Sequence, residues 1–170
     1  MLCVCLLLMA TFRLYDRFKK TAEQDYGDGQ AKVGVCYLKG LGVMQSHADA
    51  LKWFQKGANR GHASCMVHVA RCYTNGIGVG TNPNESFRWY KKAADAGEPE
   101  AHAGLGLCYL KGFGTPKSMA DAVKSFKIAA HKGDSTAQYH LGNCLQLGEG
   151  CTKNLHVTLF SALSLYFAIY

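Results

Sequence analysis

Apolar and small residues recur through this chain at spacings of three and four, the pattern of helices that bury one face. Ala101, Leu105, Gly106 and Tyr109 mark one such stripe, which stops at Gly112 and Gly114. A second stripe follows through Phe126, Ala129 and Ala130, and Gly133 closes it. The same pair of stripes lies thirty-six residues earlier, and thirty-six earlier again, without a gap. Cys36, Cys72, Cys108 and Cys144 are successive rungs of one ladder, and Gly40, Gly76, Gly112 and Gly148 of another. Phe54, Tyr90 and Phe126 align in the second stripes, and Gly61, Gly97 and Gly133 end them. A fixed short period of this kind specifies a tandem array of helix pairs.

The punctuation supports the same elements. Ser46, Asn82, Ser118 and Asn154 stand where second helices begin, with Asp49, Glu85 and Asp121 three places on as capping-box partners. Gly40 and its equivalents suit the left-handed residue that ends a helix. Gly34, Gly106, Gly142 and Ala70 leave room for a paired helix to approach.

The recurring motif is LG-x-CY-x-x-G-x-G, then aromatic-x-K-A-A-x-x-G, carried by Leu105, Gly106, Tyr109, Gly112, Gly114, Ala129, Ala130 and Gly133. It resembles the Sel1-like repeat, a relative of the tetratricopeptide repeat, over roughly residues 14–154. The resemblance implies an all-α fold: an α/α solenoid of antiparallel helix pairs, wound as a right-handed superhelix from 36-residue repeats. It also implies a role as adaptor or scaffold, and it names no partner.

On this register the chain divides into an apolar N-terminal segment (1–13), a half repeat (14–25), three repeats (26–61, 62–97 and 98–133) and a degenerate fourth (134–170). The half repeat aligns Phe18, Lys20 and Ala22 with Phe54, Lys56 and Ala58, and reads as a cap that hides one end of the core. The first ten residues are too short to span a bilayer. They lack the basic start of a signal peptide, so a helix end packed on the first repeat is expected. In the fourth repeat Val157 replaces the capping acid and Ala162 the aromatic residue. No formally charged residue stands between Asn154 and Tyr170. That stretch reads first as a truncated or aberrant end, then as a hydrophobic docking surface, and last as a membrane segment.

Composition changes little. Hydrophobic residues at 48% and charged ones at 18% suit a folded protein. The formal charge of +7 comes from basic residues spread over helix surfaces, which argues for a solvated face and against nucleic-acid binding. Eight cysteines invite a disulfide reading. Rungs one repeat apart, however, stand about 10 Å from each other, and a bridge needs Cα atoms within about 7 Å. Some secreted members of the resembled family carry a bridging cysteine pair in each repeat. Here the second helices end KGA, KAA and IAA without that partner. A reduced, half-buried ladder in a reducing compartment is the favoured reading, with a secretory route the alternative.

Catalytic chemistry has no foothold in the motifs. There is no paired carboxylate, nucleophile elbow, phosphate loop or Cys/His signature, and no cofactor is implied. Cys65, His68 and Cys72 share one helix side, with His140 and Cys144 echoing them two repeats on. Neither group supplies enough ligands for zinc, so no metal is expected. What remains is the inner face. Analogy with tetratricopeptide helices places on it Val35, Leu38, Lys39, Val67, Arg71, Asn75, Leu107, Leu110, Lys111, Tyr139 and Asn143, with Ala31, Ala103 and Thr74 beside them. Apolar groups mixed with Lys, Arg and Asn suit a protein or peptide partner that offers a hydrophobic anchor and an acidic group. The expected function is a non-catalytic interaction adaptor. The alternatives are a secreted, enzyme-like or penicillin-binding repeat protein, and a fragment of a longer signalling array.

Overall fold

The computed structural model describes residues 2–24 and 26–150. Among them are eight α-helices and no strands: α1 (Leu2–Glu23), α2 (Gly27–Lys39), α3 (His47–Ala58), α4 (Ala63–Asn75), α5 (Pro83–Asp95), α6 (Pro99–Lys111), α7 (Met119–His131) and α8 (Ser135–Leu147). Asp25 and the stretch from Asn154 to Tyr170, including the expected cap Asn154, lie outside the described residues. The helices fall into two compact units, Met1–Ala96 with α1 to α5 and Gly97–Tyr170 with α6 to α8.

Each helix pair is closed by the same backbone device. α2, α4, α6 and α8 end at Gly40, Gly76, Gly112 and Gly148, whose φ values of 70, 72, 69 and 73° are left-handed and cost a glycine little. The next residue turns its N–H back onto the same ladder cysteine carbonyl, as in Leu41 to Cys36 at 2.9 Å. The second turn glycine has a different reason. A Cβ on Gly42 would fall on the backbone of Thr11 and Phe12, one on Gly78 on that of His47 and Ala48, and one on Gly150 on Met119. Thr11 therefore holds the place that His47 holds one repeat later. α1 runs unbroken through the expected boundary at residues 13 and 14. It is a second-type helix extended toward its N-terminus, and Tyr15 ties it to α2 by a 3.1 Å hydrogen bond between its hydroxyl and that of Tyr37.

The second helices carry the expected caps, with one difference. Ser46, Asn82 and Ser118 accept the N–H of Asp49, Glu85 and Asp121. The acids do not reach back to the cap N–H, because that donor is already bound to the carbonyl of Tyr37, Tyr73 or Tyr109 at 2.9–3.0 Å. Instead the Ser46 hydroxyl donates to Asp49 at 2.7 Å, and that of Ser118 to Asp121 at 2.6 Å. Hydrogen bonds from Lys52 and Ser46 hold the Asp49 carboxyl below its ordinary range.

The core is built on close approach. Phe54 and Phe126 are essentially inaccessible. A Cβ on Gly34 would fall on the Phe54 ring, and one on Gly106 on the Phe126 ring. In the second unit Phe126 is surrounded by Ala103, Ala122, Ala129 and Ala137, with Leu107, Tyr109, Leu110 and Leu141 packed outside them.

Two substitutions separate these devices. Ser118→Ala removes one cap and should cost about 1 kcal/mol. Gly106→Ala raises helix propensity yet overpacks the ring, and should cost about 1–3 kcal/mol. Thermal melts that rank Gly106→Ala as neutral or stabilising would show that the helices are not in contact at that ring.

Candidate partner-binding groove

The first helices of the first unit, α2 and α4, present their C-terminal halves side by side. Val35, Leu38 and Lys39 from α2 face His68, Arg71, Cys72 and Asn75 from α4 across a groove of about 390 Å³. Phe54 forms its floor and Ile77, from the turn after α4, closes one side. Two cations, one imidazole and one amide thus surround an apolar bed. No Asp or Glu is among the described residues that line it.

Five of the six residues expected here from the first two repeats meet in this groove. Val67 does not: it is 1% exposed and belongs to the core. Ala31 and Ala103, at the same repeat position, are buried as well. This position lies one helical turn before Val35, Arg71 and Leu107, on the part of the stripe that has already turned into the helix interface. Thr74 also turns inward, donating to or accepting from Ser86 at 2.6 Å and bonding the Ala70 carbonyl at 2.9 Å.

In the second unit Leu107 and Leu110 are half-buried against the Phe126 core, and Lys111 is exposed beyond them. Tyr139 is 56% exposed, and its ring meets that of His140 edge-on at 5.3 Å. Asn143 is half-buried one turn further along α8.

His68 is the groove residue that the tetratricopeptide analogy passes over. Its ring lies flat on Phe54 at 4.5 Å and 15°. His140 lies on Phe126 in the same way, at 5.2 Å and 15°. The signal was available as a register: each histidine stands fourteen residues after an aligned phenylalanine. Burial, and secondarily the Lys111 ammonium, hold the His140 pKa below its ordinary value.

Among the described residues the cysteines form no metal-ligating cluster. Cys36, Cys65, Cys72, Cys108 and Cys144 are buried free thiols. Burial pushes Cys65, Cys72 and Cys108 up to about 11 and raises Cys36 as well, so these thiols stay protonated at neutral pH. Cys65 turns into the core, where its thiol donates to the Gly27 carbonyl at 3.5 Å, while His68 faces the groove. Among the described residues no three His, Cys, Asp or Glu side chains gather as a metal site. A larger recess of about 740 Å³ lies between Met9, Phe12 and Arg13 of α1 and the turn Gly40–Met44. It is apolar apart from Arg13, and offers much less directional chemistry than the α2–α4 groove.

Comparison with known proteins places this geometry. A family model described as "Sel1 repeat" matches residues 27–62, 63–98, 99–134 and 135–158. A Sel1 repeat protein from Oxalobacter formigenes is similar at 31% identity and a TM-score of 0.77, over 88% of this chain and 62% of its own. A protective antigen of uropathogenic Escherichia coli strains, c5321, which displays an SLR fold, is similar at 29% identity and a TM-score of 0.80. That match covers 86% of this chain and 32% of the antigen. The cysteine-rich protein B of Helicobacter pylori shares the fold at 20% identity and a TM-score of 0.60, over 75% of this chain and 96% of its own. The chain therefore spans less than two thirds of the first two proteins it matches. No curated protein sequence matches it.

The thiol ladder yields a direct check. In denaturant Cys36, Cys72, Cys108 and Cys144 should all react with a chromogenic disulfide reagent, and in the native protein none of the four should. Native bridges among them, or rapid labelling of the folded chain, would contradict a ladder of buried, reduced thiols.

Proposed function

The chain belongs to the Sel1 repeat family, whose members generally act as protein–protein interaction scaffolds and are typically not enzymes, and on that premise we propose that it is a non-catalytic adaptor holding a partner's peptide segment in the α2–α4 groove. The observation that carries this reading is the meeting of Val35, Leu38 and Ile77 with Lys39, Arg71 and Asn75 around one recess. An apolar side chain of the partner fits the bed, and a carboxylate fits the cations. Such a charge-assisted bond contributes about 1.5–3 kcal/mol where water is excluded. Lys39 and Arg71 are exposed in the free protein, so screening lowers that figure unless the segment covers them. Leu107, Leu110, Lys111, Tyr139 and Asn143 offer the second unit a related surface. The thiols of Cys36, Cys65, Cys72 and Cys108, buried and protonated at neutral pH, are packing groups of the array. The basic side chains are dispersed over many helix faces, which fits a protein partner better than a nucleic acid. Among the described residues no helix is long and apolar enough to cross a membrane.

The test begins with capture of a partner on the immobilised full chain and its identification by mass spectrometry. Arg71→Ala and Lys39→Ala should each weaken that partner about tenfold, near 1.4 kcal/mol, and leave the helical circular dichroism unchanged. Lys91→Ala and Lys127→Ala, on exposed second-helix positions, should change affinity less than about twofold, within the ordinary range for screened surface charges. Affinity should also fall as salt rises. Loss of binding in the second-helix variants, with the groove variants intact, would move the site to the opposite face.

A further inference from the structure

One corner of the first unit inverts the chemistry that the matching corners keep. Gly42 rests on Thr11 as Gly78 rests on His47, so α1 meets the 40–44 turn as α3 meets the turn one repeat later. Side chains thirty-six residues apart can therefore be compared place for place. Met9 stands where later repeats have Gln45, Thr81 and Lys117. Phe12 stands where they have Ala48, Asn84 and Ala120, and Met44 where they have Gly80 and Pro116. Arg13 takes the place of the capping acids Asp49, Glu85 and Asp121. Three positions that are small or polar elsewhere are large and apolar here, and an acid has become a base.

The core does not absorb these replacements. Met9 is 65% exposed, Phe12 61% and Met44 88%. With Val43 and Arg13 they rim the open recess of about 740 Å³ beside the turn. Large apolar groups gathered on a surface mark a place that something else covers. α1 continues the pattern: the cap position of the other second helices is Ala10 here, and the helix runs through it to Leu2 without a charged residue. Charge narrows the choice of cover. The two stretches to which the corner belongs, residues 1–15 and 29–48, contain no Asp or Glu. Their charged residues are Arg13, Lys32 and Lys39, all positive. The acids that flank them already have partners: Asp16 pairs with Lys20 at 3.1 Å, and Asp49 with Lys52 at 2.9 Å. Arg13 and Arg17, one helical turn apart, are both exposed.

Shape then separates the possible covers. A protein segment delivers defined side chains and needs a cleft with directional groups to receive them, as the α2–α4 groove has. At this corner the apolar groups stand out from a helix and a turn, and Arg13 is the one polar side chain among the described residues that line the recess. Protruding methionine and phenylalanine suit a soft apolar medium, with arginine stems lying along it and their charged heads at its polar edge. We propose that this corner is a peripheral membrane-docking edge. Met9, Phe12 and Met44 enter the interfacial layer of an anionic lipid leaflet, and Arg13 and Arg17 meet its headgroup phosphates. Entry to about 5–10 Å is enough, so no part of α1 has to cross the bilayer. None of Met9, Phe12, Arg13 and Met44 lines the α2–α4 groove, and docking here is independent of whether that groove holds a peptide.

Co-sedimentation of the full chain with unilamellar vesicles tests the edge. Vesicles of phosphatidylcholine alone are compared with vesicles that also carry about 30 mol% phosphatidylglycerol, and a vesicle-free sample corrects for self-association. Partitioning should be about tenfold stronger on the anionic vesicles and should weaken as salt rises. Phe12→Ser combined with Met44→Ser should weaken it about tenfold on those vesicles. Arg13→Glu, which restores the acid of the other repeats, should weaken it about tenfold there and change little on neutral vesicles. These three positions are exposed, so the helical circular dichroism should be unchanged. Ile128→Ser and Lys91→Glu, at exposed positions on α7 and α5, should bind as the unsubstituted chain does. No binding to anionic vesicles, or binding that the Phe12 and Met44 changes leave intact, would overturn the edge. So would equal loss in the Ile128 and Lys91 variants, or equal binding to the two kinds of vesicle. A dimer or a protein complex that Phe12→Ser with Met44→Ser abolishes, in a chain that ignores vesicles, would assign the corner to a protein surface instead.

Discussion

Phe54 is pressed between Gly34 of its own repeat and the imidazole of the next repeat's His68, and Phe126 sits in the same way between Gly106 and His140. Much else in each unit depends on that contact. With no Cβ on Gly34 or Gly106, the first helix comes down directly onto the ring, which sets the separation of the pair. The same ring also carries the next repeat's imidazole, with centroids 4.5 Å apart for His68 and 5.2 Å for His140. One side chain thereby serves both the core and the groove. A related contact appears one repeat earlier, where the Lys32 ammonium lies 5.3 Å from the centre of the Phe18 ring.

The turns hold the platform in register. Two glycines do different work: the first supplies the left-handed residue that ends a helix, and at Gly42, Gly78 and Gly150 the second lets the turn touch an earlier second-type helix. A tyrosine carbonyl then receives the N–H of the next helix's cap residue, so the cap is fixed to the helix before it. These bonds are local and recur in every described pair, which is why the period tolerates no insertion. Repeat proteins draw their stability from such near-neighbour terms.

The architecture was legible because it is written redundantly. The ladder glycines, the caps and the aligned aromatics each state the same period, so an error in any one would have been outvoted. The groove was harder to read. Val35, Leu38, Lys39, Arg71 and Asn75 could be placed by analogy, but Val67 could not, because a helical stripe drifts from interface to surface within a turn and an apolar residue suits both. His68 was hidden for another reason. Its helical neighbours Cys65 and Cys72 suggested a ligand cluster, whereas the partner that orients it, Phe54, lies on a different helix. Only the thirty-six-residue register, with His140 repeating the relation to Phe126, connects them. The tyrosine carbonyls that take the cap N–H leave no trace in side-chain pattern, since the backbone alone makes that bond.

Proton chemical shifts test most directly whether one ring is shared between core and groove. The Gly34 Hα protons and the His68 ring protons both lie over the face of Phe54, so both sets should be displaced upfield from their ordinary positions. Phe54→Leu should return both sets toward those positions while the helical circular dichroism persists. Ordinary shifts for either set in the unsubstituted protein, or a Phe54→Leu variant in which only one set moves, would contradict the shared platform on which the groove depends.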